Sequence, residues 1–141
     1  MLMPDVNILI YAHRREDPDH DFYRRWIEDL ANGSELFAIS PLVASAFVRI
    51  VTHSAFRPYP TPLEQAMAAI NSLIALPSCV MPGPGEKHWA IFQQLCRDSV
   101  ACGKIVADAQ HAAIALENGC TWVTRDGDFE KFRKSGTSVR L

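Results

Sequence analysis

Short apolar runs alternate along this chain with longer segments whose apolar residues recur about every three to four positions, which predicts strands and helices in turn. The strand-like runs are Leu2-Met3-Pro4, Leu36 to Ile39, Cys79 to Met81 and Cys120 to Thr124, with Thr137 to Leu141 as an edge strand. Pro4 has no N–H and so limits the pairing of the first strand.

Between these runs the helix signals are specific. A helix is predicted from about Asn7 to His13. Asp17-Pro18 reads as an N-cap followed by Pro at the first helical position, opening a helix to about Ala31 that stops at Gly33, with Phe22, Trp26, Ile27 and Leu30 as its apolar stripe. Ser40-Pro41 opens the next, reaching about Thr52. Thr61-Pro62-Leu63-Glu64 reads as a capping box for a helix that turns Ala66, Ala69, Ile70, Leu73 and Ile74 inward. Two more follow, Glu86 to about Ala101 and Val106 to Asn118, the second closed by Gly119. Ala109, Ala112, Ala113 and Leu116 give that helix a small-residue stripe suited to close packing. Strands alternating with helices specify an α/β domain with a mainly parallel central sheet of four to five strands and helices on both faces.

Length and composition narrow the class. With 141 residues, the chain is expected to form one domain, 1–141. It is 48% hydrophobic with a formal net charge of -2, which fits a globular protein and not a basic nucleic-acid coat. Cys79, Cys96, Cys102 and Cys120 lack metal-type spacing and read as free, buried thiols of a reducing cytoplasm. The start of the chain does not read as a signal peptide, and no stretch has the length of a bilayer span.

The candidate chemistry lies in four aspartates. Asp5 opens Asp5-Val6-Asn7-Ile8-Leu9-Ile10; Asp108 lies in Val106-Ala107-Asp108-Ala109; Asp126 and Asp128 lie in Thr124-Arg125-Asp126-Gly127-Asp128-Phe129. Open α/β sheets gather residues at the carboxyl ends of parallel strands into one crevice. Massed carboxylates repel unless a cation joins them, and a hard oxygen set suits Mg²⁺ or Mn²⁺. Each aspartate also has a bland role. Asp5 can cap the helix after it, unless Asn7 does so and also orients Asp5. Asp108 can complement a helix dipole. Asp126 and Asp128 can be turn residues. The company of the four favours ligation for Asp5, Asp108 and Asp126. Asp128 either binds a second ion or caps a short helix from Phe129 to Phe132. The five histidines are scattered, and none sits in a nucleophile context.

In this order, these motifs resemble the PIN-domain family, and within it the VapC-type toxins of toxin–antitoxin pairs. The likeness covers essentially the whole chain and rests on the ordered set of motifs. It implies a three-layer α/β/α fold and a Mg²⁺- or Mn²⁺-dependent endoribonuclease with Asp5, Asp108, Asp126 and Asp128 as its catalytic acids. It also implies a homodimer, a VapB-like antitoxin partner, an RNA substrate and a cytoplasmic setting without membrane attachment. Arg14, Arg15, Arg49 and Arg125 are candidates for phosphate contacts.

One position departs from the family pattern. A Glu usually precedes the Phe-Val-Arg of the helix after the second strand, and here Ala46 precedes Phe47-Val48-Arg49. No acidic residue lies between Glu35 and Glu64 to replace it. Natural divergence and an inactivating substitution both account for Ala46. The alternative function is therefore a weakened or inactive PIN module that binds antitoxin or RNA. A haloacid-dehalogenase-like phosphatase is disfavoured because Asn7 stands where a second Asp is needed. A response-regulator receiver is disfavoured by the order of its acidic residues.

Overall fold

The computed structural model describes residues 1–140. Five parallel strands form one sheet in the order β3-β2-β1-β4-β5: β1 Leu2–Pro4, β2 Phe37–Ala38, β3 Cys79–Val80, β4 Thr121–Val123 and β5 Ser138–Arg140. The expected edge strand ends at Arg140 within the described residues, and Leu141 lies outside them. Six α-helices join or flank the strands: α1 Val6–His13, α2 His20–Asn32, α3 Pro41–Val51, α4 Leu63–Ile74, α5 His88–Ser99 and α6 Lys104–Glu117. A 3₁₀ helix, Gly127–Ser135, leads from β4 to β5.

The chain builds the sheet outward from β1 in one direction, then crosses to β4 on the other side of β1. The gap between β1 and β4 is thus the switch point where open α/β sheets place their sites. Register brings the key residues there. Pro4 pairs with Val123, so Asp5 and Thr124 leave the sheet side by side. The Asp5 amide donates to the Val123 carbonyl (2.8 Å) and the Thr124 amide to the Arg140 carbonyl (2.9 Å). On its β2 side, β1 keeps a single paired residue, Leu2 with Phe37, in line with the donor that Pro4 lacks.

The core lies between sheet and helices. Met3, Phe37, Ile39, Trp122 and Phe132 are fully buried, as are Ala109, Ala112 and Ala113 on α6. Alanines on that face let the helix approach the sheet closely and hold Asp108 near the strand ends. Gly119 then turns the chain into β4 at φ +64°, a left-handed conformation that suits glycine.

Several local expectations change in the structure. The helix after Asp17-Pro18 starts later, at His20, because the Asp17 carboxylate accepts from the Asp19 amide (2.9 Å) and from Arg14 (3.0 Å), closing a turn. Phe22 faces solvent at 66% exposure and no residue of α2 is fully buried; of its stripe, Ile27 and Leu30 pack against the core and Trp26 is half-buried. Thr61 does not cap α4: Pro62 holds the N-cap position, and the Thr61 hydroxyl hydrogen-bonds with His13 Nε2 (3.0 Å). The cysteines are free, but Cys102 is exposed in the loop before α6 and only Cys120 is fully buried. Ser40, by contrast, caps α3 as its local sequence predicts, accepting from the Val43 amide (3.2 Å) with Pro41 in the first turn.

Candidate active site

The carboxylates reach the crevice from three directions. Asp5 is the N-cap of α1, Asp108 sits one turn inside α6, and Asp126 and Asp128 follow β4. Asp108, Asp126 and Asp128 each offer an oxygen such that the three atoms lie within 4.8 Å of one another. Asp5 stands beside this group, and its charge acts on both Asp108 and Asp126.

Asp5 is buried, and its Oδ2 accepts a 2.6 Å hydrogen bond from the Thr124 hydroxyl. Burial pushes its carboxyl above the usual carboxylate range, and the Thr124 bond opposes that. Asn7 is the second helical residue, so the cap position is Asp5's and not Asn7's. The Thr124 hydroxyl also accepts from the Asp126 amide (2.9 Å), which ties the two acidic motifs together.

Asp126 caps the 3₁₀ helix, its Oδ1 accepting from the Asp128 amide (2.9 Å). The capping role open to Asp128 therefore falls to Asp126, and the Asp128 carboxylate is half-exposed at the rim. Asp108 is 8% exposed, and its Oδ2 is buried without a hydrogen-bond partner. Its carboxyl is pushed up to about 6, chiefly by burial and further by Asp126, Asp5 and Asp128, while Lys104 pulls it down.

Lys104 carries no sequence motif, yet it stands among these acids. Its Nζ lies 2.5 Å from Asp126 Oδ2, 3.7 Å from Asp128 Oδ2 and 4.0 Å from Asp108 Oδ2. The Asp126 contact holds the Asp126 carboxyl below its ordinary range and raises the Lys104 ammonium. The spacing to Asp108, one helical turn, was the available signal; the link to Asp126 spans 22 residues.

The candidate arginines are already engaged in part. Arg125 pairs with Asp19 (2.5 Å) over the rings of Tyr11 and Tyr23. Arg14 pairs with Asp17 and lies over Phe56. Arg15 and Arg49 are exposed, Arg15 beside a cavity of about 310 Å³ at the end of α1 and Arg49 on α3.

The donor set fits a divalent cation. The close group offers only carboxylate oxygens, which suit hard ions, and the orphaned Asp108 oxygen is a buried acceptor in need of a positive partner. Among the described residues no helix is long and apolar enough to cross a membrane.

Comparison with known proteins agrees with this architecture. Residues 2–135 match the PIN domain family. The chain is 42% identical to VapC ribonuclease Mb2897 of Mycobacterium bovis over 134 residues, covering 95% of this chain and 91% of that protein. It is 33% identical to ribonuclease VapC25 of Mycobacterium tuberculosis, covering 94% of this chain and 93% of that one. Among solved structures, FitAcB from Neisseria gonorrhoeae superposes with a TM-score of 0.72 at 18% identity, over 100% of this chain and 97% of that one, a likeness of fold. VapBC2 from Rickettsia felis, bound to a promoter DNA fragment, gives 0.66 at 20% identity over 98% and 95%. The chain belongs to the PIN-domain family, in the branch of the VapC ribonucleases.

Proposed function

We propose that this chain is a Mg²⁺- or Mn²⁺-dependent endoribonuclease, the toxin of a toxin–antitoxin pair, working in the cytoplasm as a homodimer and restrained by a VapB-like antitoxin. The observation that carries this is the group Asp108, Asp126 and Asp128 with its orphaned buried oxygen, at the switch point of a chain 42% identical to a VapC ribonuclease. Several solved neighbours are complexes of a toxin with its antitoxin, among them VapBC-1 from Haemophilus influenzae, which supports the partner.

Asp108 and Asp126 would hold the ion, with Asp128 at the rim and Asp5 on the inner side. When bound, such an ion lowers the pKa of a water and offsets charge on the scissile phosphate. The protein's own work is to fix the carboxylates before substrate arrives. Thr124 holds Asp5 with its hydroxyl proton and Asp126 through the backbone. The buried Asp5 carboxylate thereby has a hydrogen-bond partner, and Asp126 keeps one oxygen on its cap and the other toward the cluster.

The test is sequencing of RNA ends after incubation with Mn²⁺, for the native chain and for Asp126→Asn. Defined new ends that vanish in the variant support the nuclease. Intact RNA with the native chain, but ends restored by Ala46→Glu, would favour the module that binds without cutting.

A further inference from the structure

Lys104 is out of place by the rules of its own helix. It is the first residue of α6, where the macrodipole favours negative charge, and the first turn of α6 carries no acidic residue to offset it. Its side chain is 65% exposed, so nothing apolar holds it there. What holds it is the cluster: one direct bond to Asp126 and longer approaches to Asp128 and Asp108. The ammonium thus sits against the same three carboxylates whose oxygens lie within 4.8 Å of one another. Lys131 reaches Asp128 from outside (3.9 Å), through the oxygen that Lys104 does not face.

A second observation points to an absent cation. Asp108 Oδ2 is buried without a hydrogen-bond partner, and Lys104 Nζ at 4.0 Å is too far to supply one. An ammonium on a flexible stem serves the outer carboxylates and leaves the inner oxygen unserved. A divalent ion held by the three carboxylates would give that oxygen a positive partner, and would repel Lys104 from the place it holds.

We propose that Lys104 is a built-in competitor of the metal: its ammonium occupies the carboxylate cluster in the metal-free protein, and cation entry expels it toward the mouth of the crevice. This rests on the metal-dependent reading above and adds a regulatory element to it. The cluster is kept partly neutral and ordered without metal, and metal affinity is lowered by the cost of displacing the lysine. Exposed pairs of this kind are weak, so the handicap amounts to about two- to fivefold in affinity.

The experiment is a Mn²⁺ titration followed by the electron paramagnetic resonance signal of the free ion, at fixed ionic strength and neutral pH. The proteins are the native chain, Lys104→Met, Lys104→Arg and Asp126→Asn, each checked for a native circular dichroism spectrum. Lys104→Met keeps the stem and removes the charge, and it should bind Mn²⁺ about two- to fivefold more tightly than the native chain. Lys104→Arg keeps the charge and should show no such gain. Equal or weaker binding by Lys104→Met overturns the proposal while leaving the metal site in place. Failure of the underlying reading has a different signature: Mn²⁺ binding absent from every protein, or indifferent to Asp126→Asn, which overturns both.

Discussion

Thr124 hydroxyl donates to Asp5 Oδ2 across 2.6 Å and 119 residues of chain. The Thr124 hydroxyl oxygen in turn accepts from the Asp126 amide at 2.9 Å, so one side chain joins the first and last acidic motifs. The cause is register: Pro4 and Val123 are partners at the ends of β1 and β4, and the next residue of each strand enters the crevice. Removing the hydroxyl strands a buried carboxylate, a loss of about 1–3 kcal/mol. Thr124→Val should therefore unfold at lower urea than the native chain and lose RNA cleavage, while Thr124→Ser keeps both. Urea denaturation alongside cleavage rates checks this; a native Thr124→Val would mean that water replaces the hydroxyl at no cost.

Asp108 should make the metal-free protein less stable as pH rises. Its folded carboxyl titrates at about 6 against an ordinary 3.8, so between these values the folded state binds more protons than the unfolded one. Stability from this group is therefore present in full below about 3.8 and is lost as pH climbs through about 6. Two pKa units would correspond to about 3 kcal/mol, which solvent screening in the open crevice reduces to about 1–2 kcal/mol. Asp126, held low by Lys104, works in the opposite sense and destabilises the fold on acidification. The expected result in a chelator is that Asp108→Asn melts higher than the native chain at pH 7, with the gap closing toward pH 4. Thermal melts across that range would refute the assignment if the two curves ran parallel.

The parts of this fold that were legible in sequence are those decided locally or by period. Ser40-Pro41 caps α3 because both groups lie within one turn. The alternation of strands and helices follows from burial period, and gives the parallel sheet. What escaped depended on distant partners. Thr61 has the chemistry of a cap, but His13, 48 residues away, takes its hydroxyl. Phe22 belongs to an apolar stripe by spacing, yet α2 lies at the edge of the body and leaves it in solvent. The aspartates could be named from their motifs, whereas Lys104 and Thr124 acquire their roles only when the fold brings β1, β4 and α6 together.

Glu117, at the end of α6, is a structural acid of the kind that composition cannot distinguish from a solvated one. Its two oxygens accept the amides of Gly85 (2.9 Å) and Lys87 (3.0 Å), holding the loop that opens α5. A Cβ on Gly85 would stand 2.4 Å from Glu117 Oε1, so a side chain there would push the carboxylate away from its two amides. Glu117→Ala frees two amides in a partly wet site and should cost about 1–2 kcal/mol, with Glu117→Gln recovering part of it. Urea midpoints measure this, and RNA cleavage by folded protein should stay unchanged.

Ala46 offers the sharpest test of how complete the acidic site is. It lies in α3 next to buried Phe47, and is itself only half-buried, so a longer side chain has a way out to solvent. α3 packs against α1, the helix that Asp5 caps. A glutamate at 46 restores the acid that the family pattern places before Phe-Val-Arg, as a ligand or as a hydrogen-bonded support to one. Such groups are worth about 10–100-fold in metal affinity or activity. The opposing effect is repulsion: without metal, another negative charge raises the carboxyl of Asp108 further and lowers stability at neutral pH. Ala46→Glu is therefore expected to melt lower than the native chain in chelator, to gain more from added Mn²⁺, and to cleave RNA faster at low Mn²⁺. Rate against Mn²⁺ concentration for both proteins decides it. Superimposable curves would mean that the site reaches full function through its four aspartates alone, and that Ala46 is no lesion.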